Sequence, residues 1–248
     1  MRSVAPALRE PGSAPEPAYR IVDGDDPAIL AKIAQPAIGL ALWRRRLPEA
    51  LASSLPRLPP RRLPDGRVLV RLGDLEVSVA GLLAPLGLRH ATTADLLAAD
   101  MIDLATRFAR LAETDIVDLR IEAVRHDACW KFHRDSVRLR LLTTYLGPET
   151  QIVPAAEADR ALRLQRDYHG PYLPVPEHAV ALFKGNQAEP GTGVVHRSPP
   201  IAGTGQYRLL LCINLPSASS PELWGTHVSQ GDRPASSAFA FSGGADLE

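Results

Sequence analysis

The sequence predicts an α+β protein that is mainly β, with an all-β barrel or jelly roll as its core and N-terminal helices packed outside it. Three observations carry this. After Thr114, five short segments have strand character. Pro- and Gly-rich turns separate them, among them PVPEH, KGNQAEPGTG and PPIAGTG, as in barrels and jelly rolls. Before them lies one long stretch of helical periodicity.

In chain order, residues 1–22 are rich in Pro and Ala and are expected to be disordered. Over 26–55 the apolar spacing is helical, through Ile29, Leu30, Ile33, Ile38, Leu40, Leu42 and Trp43, with Pro36 and Pro48 cutting it into short pieces. Residues 56–66 are a Pro-rich connection, and Val68 to Val79 fits strand or helix. Thr93 is the expected N-cap of a helix over about 94–113, whose Leu97, Met101, Ala105 and Phe108 belong to a buried stripe. The predicted strands cover 116–124, 137–145, 179–183, 193–196 and 207–214, with a helix inserted at 157–167. The domain reading is a disordered 1–22, a helical extension over 23–114, a core over 115–215 and a partly ordered tail over 216–248.

Composition narrows the function classes. The chain has 248 residues, 45% of them hydrophobic, enough for one large domain. Its 28 basic and 28 acidic side chains balance, so nothing favours nucleic acid or an anionic membrane as partner. The run Arg44-Arg45-Arg46 reads as a solvated helix end. Two cysteines, Cys129 and Cys212, do not make a disulfide scaffold in a chain of this size. Residues 1–19 lack the apolar region of a signal peptide, and no apolar run approaches the ~20 residues that span a bilayer. The expectation is a soluble cytoplasmic protein. No phosphate-binding loop, dinucleotide fingerprint or nucleophile elbow is present. No pattern sets the oligomeric state.

The chemistry concentrates in His126-Asp127-Ala128-Cys129-Trp130-Lys131-Phe132-His133-Arg134-Asp135. Residues two apart in an extended chain face one side, so His133 and Asp135 point together. An imidazole and a carboxylate are two legs of the facial triad of non-haem Fe(II) sites. His196, at the end of a short strand, is the candidate third leg. Carried forward, the same parity puts Val137, Leu139, Leu141, Thr143 and Tyr145 inward and Arg138 and Arg140 outward. On the last strand Arg208, Leu210, Cys212 and Asn214 share one face, and Tyr207, Leu209, Leu211 and Ile213 share the other. The first of these faces carries an Arg near the metal residues. A second pattern, His126, Cys129, His133 and Asp135, is dense enough in nitrogen and sulfur donors to hold Zn(II) instead.

Over about 115–215 the chain resembles the Fe(II)/2-oxoglutarate-dependent dioxygenase superfamily. The resemblance rests on His133-x-Asp135, on His196 and on Arg208 downstream, within VPEHAVALFKG and HRSPPIAGTGQYRLLLCIN. Over nearly its whole length, through KFHRDSVRLRLLTTYLGPETQ and IGLALWRRRLP, it also resembles a bacterial family known as domain of unknown function eighteen twenty-six. The superfamily resemblance implies a double-stranded β-helix core, Fe(II) on His133, Asp135 and His196, and 2-oxoglutarate as co-substrate with its far carboxylate on Arg208. Parity adds Tyr145 as a second donor to that carboxylate. Many members carry Ser two residues after the Arg, where this chain has Leu210. The implied activity is oxidation of a small-molecule or peptide substrate. Two alternatives stay open: a non-catalytic Zn(II)- or divalent-metal-binding protein in metal handling or sensing, and a cupin-type metalloenzyme with another metal on the same ligands.

Overall fold

A continuous apolar run, Ile-Gly-Leu-Ala-Leu-Trp, makes Ile38–Trp43 a strand and not the helix its spacing suggests. Five of its six residues are buried, so both faces of the segment meet other layers, and an extended run of that kind needs ladder partners on each side. The computed structural model describes residues 19–188 and 192–225. Most of the stretches expected to be a disordered N-terminus and a partly ordered tail lie outside these residues. Within them, Tyr19 is buried and Arg20 already begins a strand.

In chain order the elements are β1 (Arg20–Gly24), β2 (Ile38–Trp43), α1 (Glu49–Ser54), β3 (Gly66–Arg71), α2 (Leu75–Leu83), α3 (Ala91–Ala112), β4 (Ile116–Val124), β5 (Leu139–Leu146), β6 (Gln151–Ile152), α4 (Ala158–Leu164), β7 (Leu173–Pro174), β8 (Val180–Lys184), β9 (His196–Arg197) and β10 (Arg208–Asn214). The major sheet has seven strands in the order β1-β2-β8-β5-β10-β4-β3, and a minor sheet has the order β7-β6-β9. Pairing is antiparallel except between β1 and β2. The stretch expected to be a helical extension therefore supplies two strands, β2 and β3, and the end of β1 to the sheet that also holds β4, β5 and β10. Val68 to Val79 resolves into the end of β3 and the start of α2.

One face of the major sheet packs on helices. Leu141 and Tyr145 of β5, Leu209, Leu211 and Ile213 of β10, and Leu119 and Ile121 of β4 share an apolar cluster with Leu97, Met101, Leu104 and Phe108 of α3. These α3 side chains recur at helical spacing, so one stripe meets the sheet. Each fully buried Leu or Phe contributes roughly 1.5–3 kcal/mol. Thr93 is buried within the first turn of α3 and does not cap it; the helix begins after His90, without a side-chain cap. It ends at Glu113 in the left-handed region (φ 54°), where Thr114 N–H donates to the Ala109 carbonyl at 3.0 Å.

The other face meets the minor sheet. Leu40, Leu42, Leu142, Ala181 and Phe183 of the major sheet pack with Ile152 of β6 and with Val194, just before β9. The chain is thus a mixed α/β structure in which a large sheet carries helices on one side and a small sheet on the other. No helix of the described residues is long and apolar enough to cross a membrane.

Candidate metal centre

His133 and His196 are brought together by main chain. His133 N–H donates to the His196 carbonyl at 3.0 Å and His196 N–H to the His133 carbonyl at 3.1 Å, which adds one isolated bridge at the edge of the minor sheet. The flanks are tied separately. Gln165 takes the N–H of Phe132 on Oε1 at 2.8 Å and donates from Nε2 to its carbonyl at 2.9 Å. Upstream, Asp127 Oδ1 accepts from the backbone N–H groups of Ile201 and Ala202, both at 2.7 Å.

Asp135 is not in the β5 ladder. Its carbonyl accepts from Asn186 N–H at 2.8 Å and that of Val137 from Gln187 N–H at 3.1 Å, so the turn after β8 holds this segment. β5 begins only at Leu139. The irregular stretch between Asp135 and Leu139 breaks the parity on which the inward and outward assignments relied. Leu139, Leu141 and Tyr145 face the helical layer, and Arg140 and Leu142 face the cavity with His133 and His196.

The expectation for Tyr145 is corrected accordingly. It is fully buried on the helix side, at a bulge where Leu210 pairs Thr144 and Leu209 pairs Leu146. Its hydroxyl donates to Asp100 Oδ2 of α3 at 2.6 Å, and Arg45 grips the same carboxylate through both terminal nitrogens. Tyr145 closes a buried Arg45–Asp100 pair and does not reach the cavity. The run Arg44-Arg45-Arg46 is likewise not wholly a solvated end, since the Arg45 side chain is buried.

The ligand atoms of His133, Asp135 and His196 all lie within 4.8 Å of one another. His133 Nε2 is 3.4 Å from Asp135 Oδ1, and His196 Nε2 is 3.4 Å from Asp135 Oδ2. Each imidazole turns Nδ1 to a carbonyl, His133 to Lys131 at 2.8 Å and His196 to Val194 at 3.1 Å. With Nδ1–H donating, both Nε2 lone pairs are left for an ion, the usual outer-shell arrangement of metal-binding histidines. Asp135 Oδ2 is buried and accepts no aligned hydrogen bond, although Arg140 Nη1 stands 2.6 Å away. Two oriented nitrogens and an unsatisfied carboxylate oxygen fit a divalent ion. Among the described residues His126 and Cys129, read as further zinc ligands, are not in this group.

Electrostatics favour the ligating protonation states of Asp135 and His196. Burial alone would raise the Asp135 carboxyl, but the His133 hydrogen bond and the charges of His196 and Arg140 outweigh it and bring it down to about 2. Burial pushes His196 down to about 4 against the pull of Asp135. His133 goes the other way: burial opposes its charging, yet Asp135 and the Lys131 carbonyl lift it above the ordinary value.

Arg208 is fully buried on the cavity face of β10. Nη1 donates to Ser198 Oγ at 2.6 Å, and Nη2 to Thr150 Oγ1 at 3.0 Å and Thr144 Oγ1 at 3.4 Å. Nε has no partner, and no carboxylate of the described residues forms an ion pair with the guanidinium. Glu149 is near enough to feel its charge, but burial, against Thr144 and Arg208, lifts that carboxyl to about 7. Thr150 and Ser198 line the same cavity of about 220 Å³ as His133 and His196. Leu210 lines it too; the hydroxyls around Arg208 come from Ser198, Thr144 and Thr150 instead.

Sequence reasoning did not find Thr144, Thr150, Ser198 or Glu149, and it placed Arg140 outward. The pairing of β5 with β10 would have corrected Arg140 and Thr144, because Asn214 pairs Arg140 and Leu210 pairs Thr144. Nothing in the sequence marks Thr150 or Glu149.

Fold and site define a protein of two facing β-sheets with a His/Asp/His group whose two histidines line one cavity together with Ser198 and Thr150, the partners of a buried arginine. The profile of the family described as Protein of unknown function (DUF1826) matches residues 24–214, and the chain belongs to that family. No curated protein matches it. Among solved structures it is similar to a prolyl-4-hydroxylase from Pseudomonas putida, with 14% identity over 75% of this chain and 96% of that one and a TM-score of 0.40. It is also similar to a full-length Neurospora crassa protein in complex with alpha-KG, with 12% identity, 81% and 87% coverage and a TM-score of 0.39. A third is JOX2 in complex with 2OG, Fe and JA, with 15% identity, 84% and 79% coverage and a TM-score of 0.40.

Proposed function

We propose that this protein is a non-haem Fe(II)/2-oxoglutarate-dependent oxygenase that hydroxylates its substrate, with the two facing sheets forming a double-stranded β-helix (jelly roll). The observation that carries the reading is Arg208. A buried guanidinium costs several kcal/mol unless it is paired, and this one is met only by three hydroxyls. The group it lacks is a carboxylate, and its partners border the cavity that holds His133 and His196. A guanidinium at the end of a slot grips a carboxylate through two parallel N–H donors.

In this reading His133, Asp135 and His196 hold Fe(II), and Arg208 with Ser198, Thr144 and Thr150 takes the far carboxylate of 2-oxoglutarate. The bound iron and co-substrate supply the oxidative decarboxylation that places one oxygen atom of O2 on the substrate. The chain's residues bind, orient and set charge. Arg140 adds its charge to the groups that keep Asp135 ionised, the Lys131 and Val194 carbonyls aim the two imidazoles, and Leu142 and Leu210 make the intervening wall apolar.

The test is anaerobic addition of Fe(II) and then 2-oxoglutarate to the metal-free protein. A visible metal-to-ligand charge-transfer band is expected. Stoichiometric Zn(II) binding with no such band would reject the reading in favour of a metal-handling protein.

A further inference from the structure

The cavity has a second polar end. Arg208 and Asn214 are the two ends of β10, separated along the strand by roughly 20 Å at the ~3.4 Å rise of an antiparallel ladder. Around the Asn214 end, strand register gathers arginines. Asn214 pairs Arg140 on β5, Cys212 pairs Arg120 on β4, and Arg120 pairs Arg67 on β3. Arg67, Arg120 and Arg140 all line the cavity with His133 and His196.

Their donors are only partly used within the protein; the Arg67 and Arg120 side chains are 33% and 47% exposed and leave the rest to solvent. Arg67 spends Nε and Nη2 on Asp118, at 2.8 and 2.6 Å. Arg120 donates from Nη2 to Glu122 at 2.6 Å, which also spends the one carboxylate of this wall that would repel an anion. Arg140 donates from Nε to Asn214 Oδ1 at 2.7 Å and sets Nη1 against Asp135. Among the described residues, Nε and Nη1 of Arg120, Nη1 of Arg67 and Nη2 of Arg140 make no hydrogen bond. Once Asp135 is committed to a metal ion, three guanidiniums face two carboxylates, Asp118 and Glu122. An unbalanced cation cluster with free planar donors matches a carboxylate.

We infer that this end of the cavity is an anion subsite, and that the substrate is a small molecule whose carboxylate is gripped by Arg120 and Arg140 beside the metal. The inference rests on the oxygenase reading for what happens to that substrate, but not for the binding itself. Metal, co-substrate and the carboxylate would share the cavity of about 220 Å³, and the neighbouring cavity of about 600 Å³, which also has Cys129 and His133 in its wall, has room for the rest of a small molecule. Glu122 then has a definite part, since it fixes the orientation of Arg120.

The experiment uses full-length protein loaded with Zn(II) and saturating 2-oxoglutarate, titrated by calorimetry with butyrate and with butyramide, its uncharged counterpart. Butyrate is expected to bind at least about 10-fold more tightly, a charge-assisted preference. Arg120→Gln should remove most of that preference while Zn(II) and 2-oxoglutarate affinities stay unchanged. Equal affinity for acid and amide, binding of neither, or a preference that survives Arg120→Gln would overturn the inference. Failure of the oxygenase reading is seen separately, as loss of 2-oxoglutarate binding in the same titrations. The acid–amide comparison is then made on Arg208→Met, where the guanidinium at the opposite end of β10 is gone, and the same outcomes decide.

Discussion

Gly185 stands against Asp135 so closely that no side chain fits between them. A Cβ at Gly185 would lie 2.7 Å from the Asp135 carbonyl oxygen and 2.2 Å from that of Val137. The turn that follows β8 thus sets the position of the carboxylate ligand through backbone contact, with Asn186 N–H completing the clamp. Gly185→Ala should therefore act on the metal site before it acts on the fold. We expect divalent-metal affinity to fall at least about 10-fold, comparable to loss of an outer-shell partner, with the far-UV spectrum kept. Calorimetric titration with Co(II) reads this, and wild-type affinity in the variant would show that the clamp is dispensable.

Arg208 separates co-substrate binding from stability. Arg208→Met replaces a buried cation that has no ion-pair partner by an apolar side chain of similar length, so the cost of burying the charge is removed and no opposite charge is left unpaired. Metal binding should persist, 2-oxoglutarate binding should be lost, and the melting temperature should hold or rise. Retention of 2-oxoglutarate affinity would remove Arg208 from the site.

Acid should destabilise the metal-free protein in two stages. His196 is held at about 4, below its unfolded value of 6.5, so the unfolded state binds more protons between these values. Stability present above pH 6.5 is lost as pH falls to 4, on the order of 3 kcal/mol. Asp135, at about 2 against 3.8, adds a further loss as pH falls through 3.8 toward 2. His133 has the opposite sign: its pKa is raised, so its contribution is complete below 6.5 and fades as pH rises through its folded value. Urea titrations between pH 2 and 8 would resolve these slopes. A His196→Phe variant that keeps the loss between pH 6.5 and 4 would show that another group causes it.

Tyr145→Phe should be a stability variant only. It removes one hydrogen bond to the Asp100 carboxylate, worth about 1.5–3 kcal/mol for a charged acceptor, and leaves Arg45 paired. Affinity for 2-oxoglutarate should not change. A shift in that affinity without loss of stability would return Tyr145 to the cavity.

Much of this protein is legible in its residues. Strands β4, β8 and β10 fall within a residue or two of where alternation and turns place them, and the three cavity-lining positions of β10, with Arg208 on the same face, follow from parity alone. The metal group could be named because His133-x-Asp135 and His196 stand out chemically in a chain with few histidines. Parity then failed at a definite point. The irregular residues between Asp135 and Leu139 let β5 present its other face, so Arg140 turned in and Tyr145 turned out. A period-two pattern carries no memory across such a break.

By itself the sequence determined where β4, β8 and β10 run, which face of β10 is apolar, and which side chains can ligate a metal; these depend on local periodicity and on donor chemistry. Only the tertiary structure decided that Ile38–Trp43 joins the sheet as a strand, that Arg140 reaches Asp135, and that Arg208 is ringed by Ser198, Thr144 and Thr150. Each of those depends on pairing between segments far apart in the chain, where register and burial are settled by the whole core rather than by neighbours in sequence.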